Sequence, residues 1–278
     1  VRHAAAAAAV LCAAVVLAFL ALPLVAIFLR VPPGRLVGQL GSDVALDAIL
    51  VSLKTSAIAN AILLAVGTPV AYLLARARFP GRRALITLVE LPLVLPPAVA
   101  GIGLFAAFGR SGLLGGELEA LGLRIPFTQV AVVMAVLFVA SPFYLRQAIA
   151  AFESVDQELL DAARTLGARP WRRFRRIALP LAGGGLAAGA ALAFARGIGE
   201  FGATIMFAGS LQGATQTLPL AIYAQFEQDF DTALAIGALL ILFSAAVLLL
   251  AKLLPSWTRL RFTAASPLGI GPTRPFVQ

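Results

Sequence analysis

Long uncharged runs alternate with short polar breaks along the chain. The runs are Ala4–Leu29, Thr55–Ala75, Leu91–Gly109, Ile125–Leu145, Ile177–Ala195 and Thr232–Ala251. Each meets or approaches the roughly 20 residues that an α-helix needs to cross about 30 Å of hydrocarbon. The pattern predicts an all-α membrane protein with six transmembrane helices. The first run is longer than the roughly 7–15 apolar residues of a secretion signal and reads as a retained first helix. The breaks predict smaller elements. VPPG at 31–34 predicts a turn, and Asp43–Lys54 a short interfacial helix leading into the second run. RARFPGRR at 76–83 predicts a tight basic turn, and residues 110–124 a second loop. LPLAIYAQF at 218–226 predicts a short helix, and the Pro- and Gly-rich tail at about 258–278 predicts loose order. No linker divides the chain, so residues 1–278 read as one domain.

Two runs carry backbone irregularities. The third holds Pro92, Pro96 and Pro97, then Gly101 and Gly103. The fifth opens with Pro180 and Gly183-Gly184-Gly185, and Gly189, Gly197, Gly199 and Gly202 follow. Proline removes a backbone donor and kinks a helix. In lipid the freed groups must be buried in protein or face a water-filled cavity. Small residues let helices approach closely. Plain helix packing accounts for any one of these glycines; broken helices in both runs point to a substrate path between them.

Composition agrees with the membrane reading. The chain is 60% hydrophobic and 13% charged, with a mean hydropathy of +0.95. Soluble domains carry about a quarter charged residues. Cys12 and His3 are the only residues of their kinds. A single cysteine leaves no disulfide within one chain and no thiolate metal site, and a lone histidine near the terminus argues against Ser-His-Asp or His-metal chemistry. If the N-terminus is cytoplasmic and six spans alternate, 16 of the 22 Lys and Arg fall on inner segments. That bias predicts both termini inside. The cations are spread over short loops and form no single face, which argues against nucleic-acid binding.

The densest basic segment is DAARTLGARPWRRFRRIALP at 161–180, with six arginines. Ser154 followed three residues later by Gln157 fits a capping box. It predicts a helix over 155–166 with Val155, Leu159, Ala162/Ala163 and Leu166 on one face. Gly167 suits a left-handed C-cap, and Pro170 the first turn of a second helix that places Trp171, Phe174 and Ala178 on a shared face. A helix–turn–helix at the membrane surface, at about 154–178, follows. It could anchor the chain at the interface or dock a cytoplasmic partner.

Asp161-Ala162-Ala163, three residues, Gly167, nine residues, then Ile177-x-Leu179-Pro180 resembles the EAA motif of ABC-importer permeases, with Asp in place of the usual Glu. The resemblance implies a type I importer permease fold. It also implies a coupling helix that docks on an ATPase subunit through Asp161, Ala162, Ala163, Gly167, Pro170, Ile177, Leu179 and Pro180. Implied partners are a second copy of this chain, two cytoplasmic ATPase subunits and an external binding protein. ATP and Mg would sit on the ATPase: the only lysines, Lys54 and Lys252, do not fit a phosphate loop.

A narrower resemblance concerns substrate. ARGIGEFGATIMFAGSLQGATQTLPLAIY at 195–223 and LPLVLPPAVAGIGL in the third run are similar to molybdate permease subunits, as is the span order over about 45–253. Tungstate is handled by similar proteins, and sulfate/thiosulfate permeases are related alternatives. Hydroxyls, amides and backbone N–H groups near 202–217 are compatible with passing an oxyanion without trapping it. The expected route runs between two copies of the chain. It has a gate near Arg196, Gly199, Glu200, Gly202, Ala203 and Thr204, and Pro96, Pro97 and Gly101 lie opposite. Arg196 and Glu200, one turn apart, could form a structural pair or a gate. Glu90, about 10 Å from Arg83 along a helix, is expected to pair with the basic turn. Mid-span ionisable residues, which a self-sufficient secondary transporter would use for ion coupling, are lacking.

Overall fold

The computed structural model describes residues 2–32, 34, 38 and 41–263. The turn expected at VPPG lies partly outside them, and residues 264–278 of the expected tail lie wholly outside. Among the described residues, helix is the only regular structure. Helix α1 spans Arg2–Arg30, α2 Asp43–Arg76, α3 Arg82–Val94, α4 Pro97–Phe108, α5 Gly115–Ala120 and α6 Gln129–Glu153. Then come α7 Gln157–Thr165, α8 Pro170–Ile198, α9 Gly202–Ala208, α10 Leu218–Phe226 and α11 Phe230–Thr263.

Five of these helices are long and apolar enough to cross a membrane, and the α3–α4 pair makes a sixth if counted as one broken span. α1 is apolar all round and none of its apolar window is buried, as suits a helix facing lipid. The interfacial helix expected over Asp43–Lys54 is instead the first three turns of α2. Ser42 caps it (Ala45 N to Ser42 Oγ, 3.3 Å), and Ala45, Ala48, Val51, Ser52 and Thr55 are buried. The third run is not a straight span. Pro96 is extended (φ −55°, ψ 132°), and α3 and α4 are bent by 116° at that break. Consecutive prolines supply no N–H, and a residue before proline avoids helical geometry. The fourth span runs later than its uncharged run, to Glu153, and α11 continues to Thr263, past the expected start of the tail. The loop at 110–124 holds the short helix α5, and α10 matches the expected 218–226 helix.

The glycine run in α8 does not break it. The helix widens instead, into a π turn at Phe174–Ala178, two residues before Pro180. α2 has a matching π turn at Leu63–Gly67, two residues before Pro69. A wider turn is one way to absorb a carbonyl that proline cannot serve. Pro92 and Pro142 sit inside α3 and α6 without one.

The chain forms two compact units. The first comprises residues 1–59, 94–139 and 196–245. Its core joins Ala100 and Leu104 of α4, Val132, Ala135, Val136 and Val139 of α6, and Ala203 and Phe207 of α9. A smaller cluster gathers Ala45, Ala48, Leu218, Ala221 and Ile236, where Leu218 N donates to Ser52 Oγ at 2.8 Å. The second unit comprises 60–93, 140–195 and 246–278. At its centre Tyr144 bonds Thr68 and packs over Gly67, where an added Cβ would lie 3.1 Å from the ring. Below them Phe152 meets Tyr72 edge-on at 5.2 Å, and Tyr72 in turn meets Phe174 at 4.9 Å.

Candidate functional site

The basic loop belongs to the second unit. Its first helix is shorter than expected and has a different cap. Asp156, not Ser154, caps α7: Asp156 Oδ1 accepts from Glu158 N at 2.8 Å. The Ser154 hydroxyl donates back to Ala151 O at 2.8 Å and so belongs to the end of α6. Gly167 closes α7 at φ +78°, as its sequence position predicts. Ala168 N bonds Ala163 O at 2.9 Å and Gly167 N bonds Arg164 O at 3.0 Å, the paired bonds of a Schellman cap. Pro170 then starts α8, which continues through the π turn into the span, so there is no separate second surface helix.

The expected single apolar face is divided. Val155 and Leu160 are buried, whereas Leu159 is 50%, Leu166 87% and Trp171 66% exposed. Asp161 and Ala162 are exposed and Ala163 is half-buried. Ile177 and Leu179 are half-buried, Pro180 is exposed, and Ala178 is fully buried. Among the described residues nothing covers this surface. Large apolar side chains standing among arginines suit a partner protein or a membrane surface.

Sequence reasoning missed what holds this loop. Arg76, read as part of a basic turn, donates from Nη2 to Phe152 O at 2.6 Å and to Val155 O, and from Nη1 to Gln157 Oε1 at 2.8 Å. Gln157 Nε2 donates on to Asp161 Oδ1 at 3.3 Å. Arg82 pairs with Glu153 at 2.7 Å. Glu90 pairs with Arg146 at 3.2 Å and not with the basic turn.

The second set of candidate residues lies in the first unit. α8 ends at Ile198, and Gly199, Glu200 and Phe201 form the break before α9. Glu200 is buried, at 1% exposure. Its Oε1 accepts from Ala203 N at 2.8 Å, which serves the N-terminus of α9. Its Oε2 lies 2.7 Å from Arg196 Nη2, an ionic contact out of line for a hydrogen bond. α9 lies directly on α4. A Cβ on Gly101 would come 2.6 Å from Ala203 O, and one on Gly202 would come 2.9 Å from Pro97 Cβ. Ala203 and Thr204 are fully buried, while Gly199 and Pro96 are exposed. The Pro96–Gly103 segment is expected opposite Glu200–Thr204 on a route between two copies of the chain. Within one chain the two are in contact, without a gap between them.

The loop after α9 is held by glycine turns and side-chain bonds. Gly209 and Gly213 take positive φ, and Leu211 N donates to Thr215 Oγ1 at 3.0 Å. Gln216 Nε2 donates to Ser210 Oγ at 3.2 Å, and Gln212 Nε2 to Asp47 Oδ2 at 3.2 Å. The first two bonds fold the loop on itself, and the third ties it to α2. Thr204 Oγ1 and Thr217 Oγ1 are buried without hydrogen-bond partners. Among the described residues no group of His, Cys, Asp and Glu could hold a metal ion.

Five apolar helices of spanning length, with a bent helix pair and a capped polar helix between them, define a multi-pass membrane protein. The chain belongs to the family of binding-protein-dependent transport system inner membrane components, whose model matches residues 67–260. It is 46% identical over 231 residues to the molybdenum transport system permease protein ModB of Mycobacterium tuberculosis, covering 83% of this chain and 88% of that protein. It is 35% identical over 206 residues to a probable sulfate transport system permease protein, cysT, of Chlorokybus atmophyticus, covering 74% and 72%. A chain of a bacterial alginate ABC transporter, crystallised with an alginate pentasaccharide-bound periplasmic protein, shares the fold. The TM-score is 0.71 at 18% identity, over 94% of this chain and 96% of that one.

Proposed function

We propose that this chain is the permease subunit of an ATP-driven importer that carries molybdate, with tungstate as a near-equivalent, from an external binding protein to the cytoplasm. The observation that carries the reading is the 46% identity over 83% of the chain to a molybdenum transport permease. In this reading the bacterial inner membrane holds two copies of the chain. Each has six spans, with α3 and α4 counted as one, and both termini are cytoplasmic. Two cytoplasmic ATPase subunits bind ATP with Mg and hydrolyse it. Each takes the α7 surface through Leu159, Leu166 and Trp171, whose exposure supports a docked partner. Asp161, Ala162, Ala163, Gly167 and Pro170 set the shape of that surface. Ile177, Leu179 and Pro180 set the entry of α8 into the membrane.

Close packing of α4 on α9 within one chain favours a route between two copies. There Glu200 positions α9 by bonding its first turn and balancing Arg196. Pro97, Gly101, Gly202 and Ala203 form the contact that a moving gate must carry or open, with Pro96, Gly199 and Thr204 at its margins.

Proteoliposomes containing the chain, its ATPase and its binding protein test this reading. ATP-dependent uptake of molybdate is expected, with strong competition by tungstate and weak competition by sulfate. Sulfate uptake indifferent to molybdate would transfer the assignment to the sulfate class, which the 35% relative represents.

A further inference from the structure

Only Leu160 of α7 is buried, so packing alone holds that helix weakly. Its firmest attachment is polar. Arg76 is the last helical residue of α2, since Ala77 is already extended (φ −81°, ψ 138°). Its guanidinium reaches three acceptors on two other segments: Phe152 O and Val155 O, at and beyond the end of α6, and Gln157 Oε1 on the first residue of α7. Carbonyls at a helix C-terminus lack intrahelical partners and favour a cation. Gln157 holds Arg76 with its oxygen and Asp161 with its nitrogen. A continuous hydrogen-bonded line therefore runs from the end of α2 to Asp161.

The other end of that line is equally fixed. The stretch of α2 above Arg76 is attached to α6 at two further levels. Thr68 bonds the Tyr144 hydroxyl with Gly67 against the ring, and Tyr72 packs on Phe152. Arg82 adds a fourth tie, donating to Leu74 O and Glu153.

We propose that Arg76 is a positioning residue that locks α7 to the 60–76 stretch of α2 through Gln157, so that displacement of α7 by the ATPase is delivered to the span without slack. The inference rests on the reading of the chain as an ATP-driven permease. If Arg76 served only to satisfy the end of α6, Gln157 would be dispensable.

Gln157→Ala separates the two roles, because it cuts the arm to α7 and leaves both carbonyl bonds intact. The measurement is molybdate imported per ATP hydrolysed by the complete transporter in proteoliposomes, together with co-purification of the ATPase. We expect hydrolysis to persist with the ATPase bound, and import per ATP to fall about tenfold, as losing a hydrogen bond to a charged group implies. Arg76→Lys should fall in the same way, because one ammonium cannot span acceptors set for a planar fork. The double variant should be no worse than Arg76→Lys alone, since both break one line. A Gln157→Ala transporter with the unsubstituted import ratio overturns the proposal, and so does a parallel loss of ATPase binding and import. No ATP-driven import by the unsubstituted chain would overturn the functional reading itself, and this inference with it.

Discussion

The α4–α9 junction and the α7–α8 turn use the same residues for opposite reasons. Each has a helix broken at a glycine, an acidic side chain bonded to the first turn of a short helix, and arginine nearby. At the junction, Gly101 is needed for space, since a Cβ there would lie 2.6 Å from Ala203 O. At the turn, Gly167 is needed for its φ of +78°, and a Cβ there would meet nothing within 4 Å. Glu200 is buried and balances both Arg196 and a helix N-terminus, whereas Asp156 caps α7 in the open. One region is built to exclude volume and the other to hold a shape while remaining accessible. Substitutions should therefore obey different rules in the two places.

The largest effect is expected at Glu200. Glu200→Ala leaves Arg196 uncompensated and α9 uncapped. The cost should be about 3 kcal/mol, the lower end for breaking a buried pair, because Arg196 keeps partial exposure. Glu200→Gln should cost less, since its amide oxygen can still accept from Ala203 N. Thermal unfolding of the purified protein in detergent gives the order; equal stability of the two variants would remove the capping role.

Size dependence comes next. Gly101→Ala should cost about 1–3 kcal/mol by overpacking and Gly101→Val more. Gly103→Ala, where nothing lies within 4 Å, should be neutral or slightly stabilising. Matching losses at the two positions would show that space is not what the junction requires.

The smallest effect belongs to the turn. Gly167→Ala should cost about 1–2 kcal/mol for a left-handed residue with a Cβ, and Gly167→Asn should recover part of it. Gly167→Val should insert normally yet lose ATPase association, because a β-branched residue resists positive φ. The same Asn at Gly101 should rescue nothing. ATPase co-purification is the readout for the Gly167 series, and a loss that scaled with side-chain volume there would erase the contrast.

What could be read in the sequence was mostly local. The Gly167 turn, Pro170 at a helix start and the 218–226 helix follow from single residues and their neighbours, and they stand as expected. The α7 cap was misplaced by two residues because Ser154 and Asp156 are both good caps. Burial of Val155 and the pull of Arg76 on Phe152 O and Val155 O decide between them, and both are tertiary. The break near Pro96 was legible, but its 116° bend was not. Gly183-Gly184-Gly185 looked like a break and is plain helix, because a helix packed on its neighbours outweighs glycine's weak propensity. At Gly185 the missing side chain serves packing, since a Cβ would lie 2.5 Å from that of Ala151. The actual interruption falls where a buried carboxylate can start a new helix. Glu90 found Arg146 rather than its nearer neighbour in sequence because the two helices bring them within 3.2 Å.

The two π turns carry a consequence for descent. Each holds one residue more than an α-helix of the same length, and each precedes a proline by two positions, at Gly67 and Pro69 and at Ala178 and Pro180. A one-residue deletion inside either turn would tighten it and press the proline ring on the carbonyl four residues back. Replacing the proline instead would leave the extra residue without a purpose. Insertion and proline therefore form a linked pair, and among descendants of a common ancestor a one-residue gap at either place should travel with loss of that proline.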